Sequence, residues 1–323
     1  MFSRVLLTAI SLFLFLCCEQ KVIAIENTNG FIAFERNPKS DPIWDFDIWL
    51  INVYTKHEIR LTKSLEYWEF APSWMSDSEL IYLIEPQEKT GTETDMVYTN
   101  FKRGRSRLLD FWDWQNCPMM YKVSVDSLRN VYYYGWKNIY ILARKENKYQ
   151  LIKLFPDRGP EKFTPHKIGL EDFSSTVVSF DASKLLIVAC DTAKYRRLQE
   201  VKKFHYDIYL YDLKGRSLER LTQGDSTYED PAWIGKDSIV YTSNCDGNYE
   251  LYIMELRSKK IVRLTSTPDI SETQPAVSPD HKMVAYTRYD EKARISEIWI
   301  MDLGSKETYF LTAGSNPAWS PAK

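Results

Sequence analysis

The chain has 323 residues, 44% of them hydrophobic, a composition that supports a large core and excludes a disordered or fibrous protein. Its 42 Lys and Arg nearly balance 44 Asp and Glu, for a formal net charge of −2, so it has no global basic field of the kind that drives non-specific nucleic-acid binding. Met1 to Arg4 form a short basic segment, and Val5 to Leu16 an apolar run of signal-peptide length, too short to span a bilayer comfortably. Export is therefore expected, to a periplasmic or membrane-anchored location. Two exits from the signal stay open: cleavage after Ala24, or lipid attachment at Cys17 or Cys18, which are followed by Glu19 and Gln20. Residues 1–24 are read as the signal and 25–323 as a single domain. Cys117, Cys190 and Cys245 remain, an odd number with no Cys-x-x-Cys, so a zinc site is not expected.

From Phe31 onward the chain repeats itself at roughly 45 to 50 residues, the spacing of propeller blades. Each unit runs through a Pro-x-Trp-like strand, a second apolar strand, an acidic-Ile/Leu-aromatic strand and a short strand ending in Leu-Thr. The first unit begins late, at Phe31-Ile-Ala-Phe34, and continues with Asp47-Ile-Trp-Leu50 and Ile59-Arg-Leu-Thr62. Ala71-Pro-Ser-Trp74, Leu80-Ile-Tyr-Leu83 and Asp95-Met-Val-Tyr98 form the next. The middle unit, around Asn130-Val-Tyr-Tyr-Tyr134 and Lys137-Asn-Ile-Tyr-Ile-Leu142, departs furthest from the pattern. Another is marked by Asp207-Ile-Tyr-Leu-Tyr-Asp212. The clearest two start at Asp230-Pro-Ala-Trp233 and Gln274-Pro-Ala-Val277. Asn316-Pro-Ala-Trp319 is a lone first strand with no unit after it. Placed in the first unit, it closes a ring and leaves no open edge at the seam. The predicted fold is all-β: a six-bladed β-propeller of four-stranded blades, closed by the C-terminal strand joining the N-terminal blade.

These motifs, Pro-x-Trp-Ser-Pro-Asp, Ile-Ala-Phe, Asp-Ile-Tyr and Leu-Thr, resemble those of the TolB-like family of propellers over about Phe31 to Pro321. The resemblance implies the fold, an extracytoplasmic setting and binding rather than catalysis. TolB itself carries an α/β domain ahead of the propeller and docks on an outer-membrane lipoprotein. The residues before Phe31 leave no room for that domain, so its particular role does not carry over.

Loops between units, with the loops joining second to third strands, are expected on one face. They bring Trp68, Glu69, Trp112, Asp113, Trp114, Asp172, Glu229, Asp230 and Glu272 toward one channel mouth, where aromatic and acidic side chains suit a protein hot spot or a sugar. The same residue types also cap strands and wedge blades apart. The loop from Asp191 to Tyr206, with Lys194, Arg196, Arg197, Lys202 and Lys203, is a basic neighbour. Asp47, Asp95, Asp207, Glu250 and Glu297 recur at the start of the third strand, and recurrence in every unit is the mark of architecture. Asp246-Gly247-Asn248 reads as turn chemistry; calcium takes six or more oxygens, and no cofactor is expected.

No Gly-x-Ser-x-Gly elbow, phosphate-binding glycine loop or His-Glu-x-x-His occurs, and the four histidines have no obvious ligand partners. The expected function is a non-catalytic cell-envelope module, a monomer binding a protein or peptide partner. The alternative is a glycan-binding or glycan-degrading propeller that uses the aromatic and acidic mouth.

Overall fold

Runs of β-branched and aromatic residues, punctuated by Asn, Asp, Gly and Pro turns, become strands because their side chains fit a pleated, half-buried surface. The computed structural model describes residues 20–21, 25, 29–37, 46–64, 67–86, 94–108, 122–135, 138–145, 148–153, 170–191 and 205–321. Their strands form antiparallel sheets in which order in the chain is order from the axis outward, except that the last strand of the chain is innermost in sheet 1 and the first outermost in sheet 2. Sheet 1 holds Ser315–Trp319, Phe31–Arg36, Asp47–Asn52 and Glu58–Arg60. Sheet 2 runs Tyr67–Ser76, Glu79–Pro86, Asp95–Asn100 and Arg105–Leu108, then adds Gln20–Lys21 outside. Sheet 3 runs Val123–Val125, Val131–Gly135, Asn138–Lys145 and Lys148–Lys153. Sheet 4 comprises Leu170–Val178, Lys184–Asp191, Tyr206–Asp212 and Leu218–Arg220. Sheet 5 comprises Tyr228–Ile234, Ser238–Ser243, Glu250–Glu255 and Ile261–Arg263, and sheet 6 Ile270–Val277, Met283–Asp290, Ile295–Asp302 and Thr308–Ala313.

The expectation of six uniform four-stranded blades is corrected. Five sheets are four-stranded blades; the remaining one, sheet 2, has five strands, because Gln20 and Lys21 pair with Ser106 and Arg105 along its outer edge. The seam forms as the sequence implies: Ile32 pairs with Trp319 and Ala33 with Ala318. Innermost strands pack side by side in a closed cycle through sheets 1, 2, 3, 4, 5, 6 and back to 1.

Second strands are buried on both faces, since each lies between two neighbouring sheets. Leu80 to Ile84, Leu185 to Cys190 and Ile239 to Ser243 are therefore unbroken buried runs. Each large aliphatic side chain in them contributes roughly 1.5–3 kcal/mol of transfer free energy. The Pro-x-Trp motif ties neighbours together through its indole. Trp74 Nε1 donates to Ala318 O at 3.0 Å, Trp233 Nε1 to Val177 O at 3.1 Å and Trp319 Nε1 to Ala276 O at 3.0 Å, each across a sheet boundary.

The acidic third-strand residues tie the outermost strand of their own sheet. Asp207 pairs with Arg220 and Glu250 with Arg263, and Asp47 pairs with Arg60 in the same way. In three of the Leu-Thr pairs the Thr accepts a backbone N–H from the third strand, Thr62 from Ile48, Thr222 from Ile208 and Thr265 from Leu251. Recurrence here is architecture, each copy satisfying a buried carboxylate and a strand end.

Antiparallel alternation sorts the connections onto two faces. Turns joining first to second and third to fourth strands share one, the hairpin face; second-to-third loops and the crossings between sheets share the other.

Candidate functional site

An axial cavity of about 730 Å³ is lined by the innermost strands of all the sheets. Its wall is mostly apolar, with Val123, Val177, Trp233, Val277 and Trp319 prominent, and it opens on the hairpin face past Phe180, Lys236 and His281. Deeper in, one residue per sheet meets at a single level, two positions before the residue whose carbonyl can take a neighbour's indole. These are Ala71, Lys122, Ser175, Asp230, Gln274 and Asn316. The ring is chemically uneven, and its cation and anion join: Lys122 Nζ lies 3.3 Å from Asp230 Oδ1, linking sheet 3 to sheet 5 past sheet 4.

The local backbone explains this level. Ala71, Asp230, Gln274 and Asn316 each precede a proline, and each has φ between 48° and 53°. The strand pairing is interrupted beside them by bulges. Proline removes an N–H and disfavours the right-handed helical region for the residue before it, so the inner strand bulges there. The left-handed residue costs of order 1 kcal/mol or more, and hydrogen bonds hold it. Ala71 N donates to Glu35 Oε1 at 2.7 Å; Asn316 N donates to Gln274 Oε1 at 3.1 Å and Thr287 Oγ1 at 2.9 Å, while Asn316 Nδ2 donates to Glu35 Oε1 at 2.6 Å.

Two carboxyls beside the ring titrate far from their usual range. Burial pushes Glu35 up to about 7, against the opposing pull of the Ala71 N–H, the Asn316 amide and the Lys122 charge. Burial and repulsion from Asp230 push Glu229 up to about 7, opposed by Lys122 and the Ser174 hydroxyl. Lys122 is thus the cation shared by Glu35, Glu229 and Asp230.

The residues singled out in the sequence do not form one ring. Trp68, Glu69, Glu229, Asp230 and Glu272 lie within inner strands rather than in loops, because those strands begin several residues before Pro-x-Trp. Side chains therefore alternate in direction along the strand. Glu69 is buried, its N–H donating to Phe46 O at 3.0 Å, and Trp68 is half-buried. Glu272 is 1% exposed between sheets 5 and 6. Its carboxyl is hydrogen-bonded to Glu250, and burial with that acidic neighbour raises it to about 8, while Arg288 Nε stands 3.7 Å away. Of these five, Glu229 and Asp230 reach the axial cluster. Asp172 lies in the first strand of sheet 4, paired with Cys190. Trp112, Asp113, Trp114, the basic residues between Asp191 and Tyr206, and Cys17 and Cys18 lie outside the described residues. Among the described residues, no group of three His, Cys, Asp or Glu can hold a metal ion, and no helix is long and apolar enough to cross a membrane.

Lys122, Gln274, Asn316 and Glu35 were missed, as were two exposed turn residues of the hairpin face, of which Phe180 lines the cavity. The position before each Pro of Pro-x-Trp carried the signal, since it reads Ala, Asp, Gln and Asn where the flanking motif repeats. At the turn after the first strand, Ser278-Pro279-Asp280 has its counterpart in Ser179-Phe180-Asp181, and sheet 3 puts Leu128 in its turn. Phe180 is 79% exposed and Leu128 69%, and the two turns touch through Ser127 N donating to Phe180 O at 3.3 Å.

Comparison with known proteins supports the repeat assignment. Residues 197–323 match the family described as the TolB beta propeller domain. The Tol-Pal system protein TolB of Francisella tularensis subsp. tularensis is 30% identical over 115 residues, which are 35% of this chain and 25% of that protein. The protein TolB homolog of Chlorobaculum tepidum is 43% identical over 51 residues, 16% of this chain and 12% of its own. The matched stretch thus spans a quarter or less of these relatives. The crystal structure of TolB from Acinetobacter baumannii superposes with a TM-score of 0.66 at 17% identity, covering 93% of this chain and 68% of that one. At that identity the likeness concerns the fold.

Proposed function

We propose that this TolB-like β-propeller is an exported, non-catalytic binding module of the cell envelope that receives a segment of a partner protein in the mouth of its axial cavity. One observation carries the reading: an apolar cavity of about 730 Å³ opens beside Phe180, an exposed apolar turn residue where the equivalent turn of sheet 6 places Pro279, and the adjoining turn of sheet 3 adds the exposed Leu128. Exposed large side chains beside a well-formed concavity favour a protein anchor, because their burial on binding releases water from both partners. Curated relatives of the repeat carry the name Tol-Pal system protein, which agrees with protein partners in the envelope.

The groups that titrate near neutrality do not argue for catalysis. Glu35 already accepts from Ala71 and Asn316, and Lys122 is engaged by Asp230. The glycan alternative finds no support in this arrangement. The N–H groups of the Trp233 and Trp319 indoles are spent on backbone carbonyls. Envelope extract passed over the immobilised protein and over a Phe180→Ser, Leu128→Ser variant tests the reading. A partner held by the first and lost by the second is expected; a partner held equally by both sinks the mouth as the site.

A further inference from the structure

The turns between third and fourth strands share one backbone design. In sheets 1, 4 and 6 an Asn or Asp opens the turn and accepts its N–H groups: Asn52 Oδ1 from Tyr54 and Thr55 at 3.0 Å, Asp302 Oδ1 from Gly304 at 2.9 Å and Ser305 at 2.8 Å, Asp212 Oδ1 from Lys214 at 2.9 Å; in sheet 5 Glu255 opens it. The residue four positions on closes it, its N–H donating back to the opening carbonyl at 2.8 or 2.9 Å, and it adopts the left-handed conformation. Glycine suits that conformation best, and Gly104 takes it in sheet 2. In sheets 1, 4, 5 and 6 the position holds Lys56, Arg216, Lys259 and Lys306, with φ of 59°, 52°, 59° and 66°.

Nothing in the turn requires these side chains. All four are exposed, the bond that closes the turn comes from the backbone, and Lys306 has no ion-pair partner among the described residues. Lys259 does reach Glu219, but both ends of that pair are exposed, where such contacts are weak. The opening carboxylates of Asp212 and Asp302 are occupied by turn N–H groups; Lys56 Nζ lies 4.9 Å from the centre of the exposed Tyr309 ring, and Arg216, like Lys306, has no ion-pair partner among the described residues. A chain of net charge −2 thus sets a crown of cations along the outer rim of the hairpin face, with the apolar mouth at its centre, and Tyr54, 73% exposed, shares that face with Phe180 and Leu128.

We propose that the hairpin face is a basic docking surface for a protein partner whose acidic stretch lies across the crown while an apolar side chain enters the mouth. The inference rests on the reading of the mouth as a protein-binding site and adds the chemistry of what binds. Charge complementarity selects an acidic occupant. The axial concavity selects a polypeptide over a lipid surface, since a flat bilayer covers the crown but leaves the cavity unfilled.

The test uses the full exported protein and a fluorescently labelled peptide of alternating Glu and Ala with a central Leu-Trp pair, followed by anisotropy at low and high salt. The triple variant Arg216→Gly, Lys259→Gly, Lys306→Gly removes charge and gives each turn the residue its backbone favours, so the fold is retained and its melting temperature holds or rises. Affinity for the peptide is expected to fall by roughly tenfold or more, with a weaker salt dependence. Unchanged affinity, or an unmodified protein that ignores the peptide, overturns the proposal. So does tighter binding to phosphatidylglycerol vesicles, lost in the same variant. Phe180→Ser separates the two readings. If it keeps the peptide that the triple variant releases, the crown stands and the mouth falls; the reverse pattern removes the crown and leaves the mouth.

Discussion

Sheets 3 and 5 occupy equivalent places in the ring and are held there by different means. Sheet 5 has a seven-residue inner strand with Trp233 clasping sheet 4, and its Glu250 and Arg263 secure the outer strand. Sheet 3 has a three-residue inner strand that carries no Trp. There Asp126 gathers Leu128 N, Asn130 N, the Asn130 amide and the Tyr132 hydroxyl, and Ser124 Oγ accepts from Val178 N of the next sheet at 3.2 Å. The difference is instructive because the residues that make the axial site uneven, Lys122 and Leu128, belong to the sheet that left the motif. Agreement among repeats marks what holds the ring; departure marks what distinguishes one side of it.

The comparison is broken most severely at the seam. Removing residues 316–323 takes away the partner of Phe31–Arg36, the Trp319 clasp and the Ala318 carbonyl that receives Trp74. The expected result is loss of cooperative unfolding, a larger cost than the roughly 3–5 kcal/mol of truncating one buried aromatic, and circular dichroism melting checks it. Next, Trp74→Ala should destabilise by about 3–5 kcal/mol, with Trp74 8% exposed and its indole bonded. Val125→Ala in sheet 3, half-buried and without a clasp, should cost about 1 kcal/mol or less by denaturant titration.

Glu272→Gln sharpens the account of the seam between sheets 5 and 6. The folded carboxyl titrates at about 8, above its unfolded value, so folding takes up a proton and the native protein loses stability as pH rises from the ordinary carboxylate range to about 8. The amide lacks that loss. The variant should gain roughly 1–3 kcal/mol on the wild type between acid pH and pH above 8, read from melts across that range. A pH-independent difference would show that the pair holds no proton. The smallest effect on stability belongs to Phe180→Ser, expected within about 0.5 kcal/mol because the ring is exposed, together with loss of partner binding.

The ring, its order of strands and its closure were legible because a blade repeats hydrophobic runs that any neighbour can bury, and because Asn316-Pro-Ala-Trp319 had no other place to go. The fifth strand of sheet 2 was not, since a two-residue strand, Gln20–Lys21, is too short to show an alternating pattern in the sequence. Positions around the axis were harder still. Whether Glu69, Glu229 and Glu272 face the axis or a seam depends on strand register and on the bulge before each Pro, and a shift of one residue reverses the answer. Glu229 and Asp230 were found, but Glu35 was not, and the cation the three share, Lys122, sits outside any motif.

The most direct test of the central claim is site-specific photo-crosslinking in intact cells, with the reactive residue at Phe180 on the hairpin face and, separately, at Lys292 on the opposite face. The account predicts a discrete protein adduct from position 180 and none from 292; an adduct from 292 alone would contradict it.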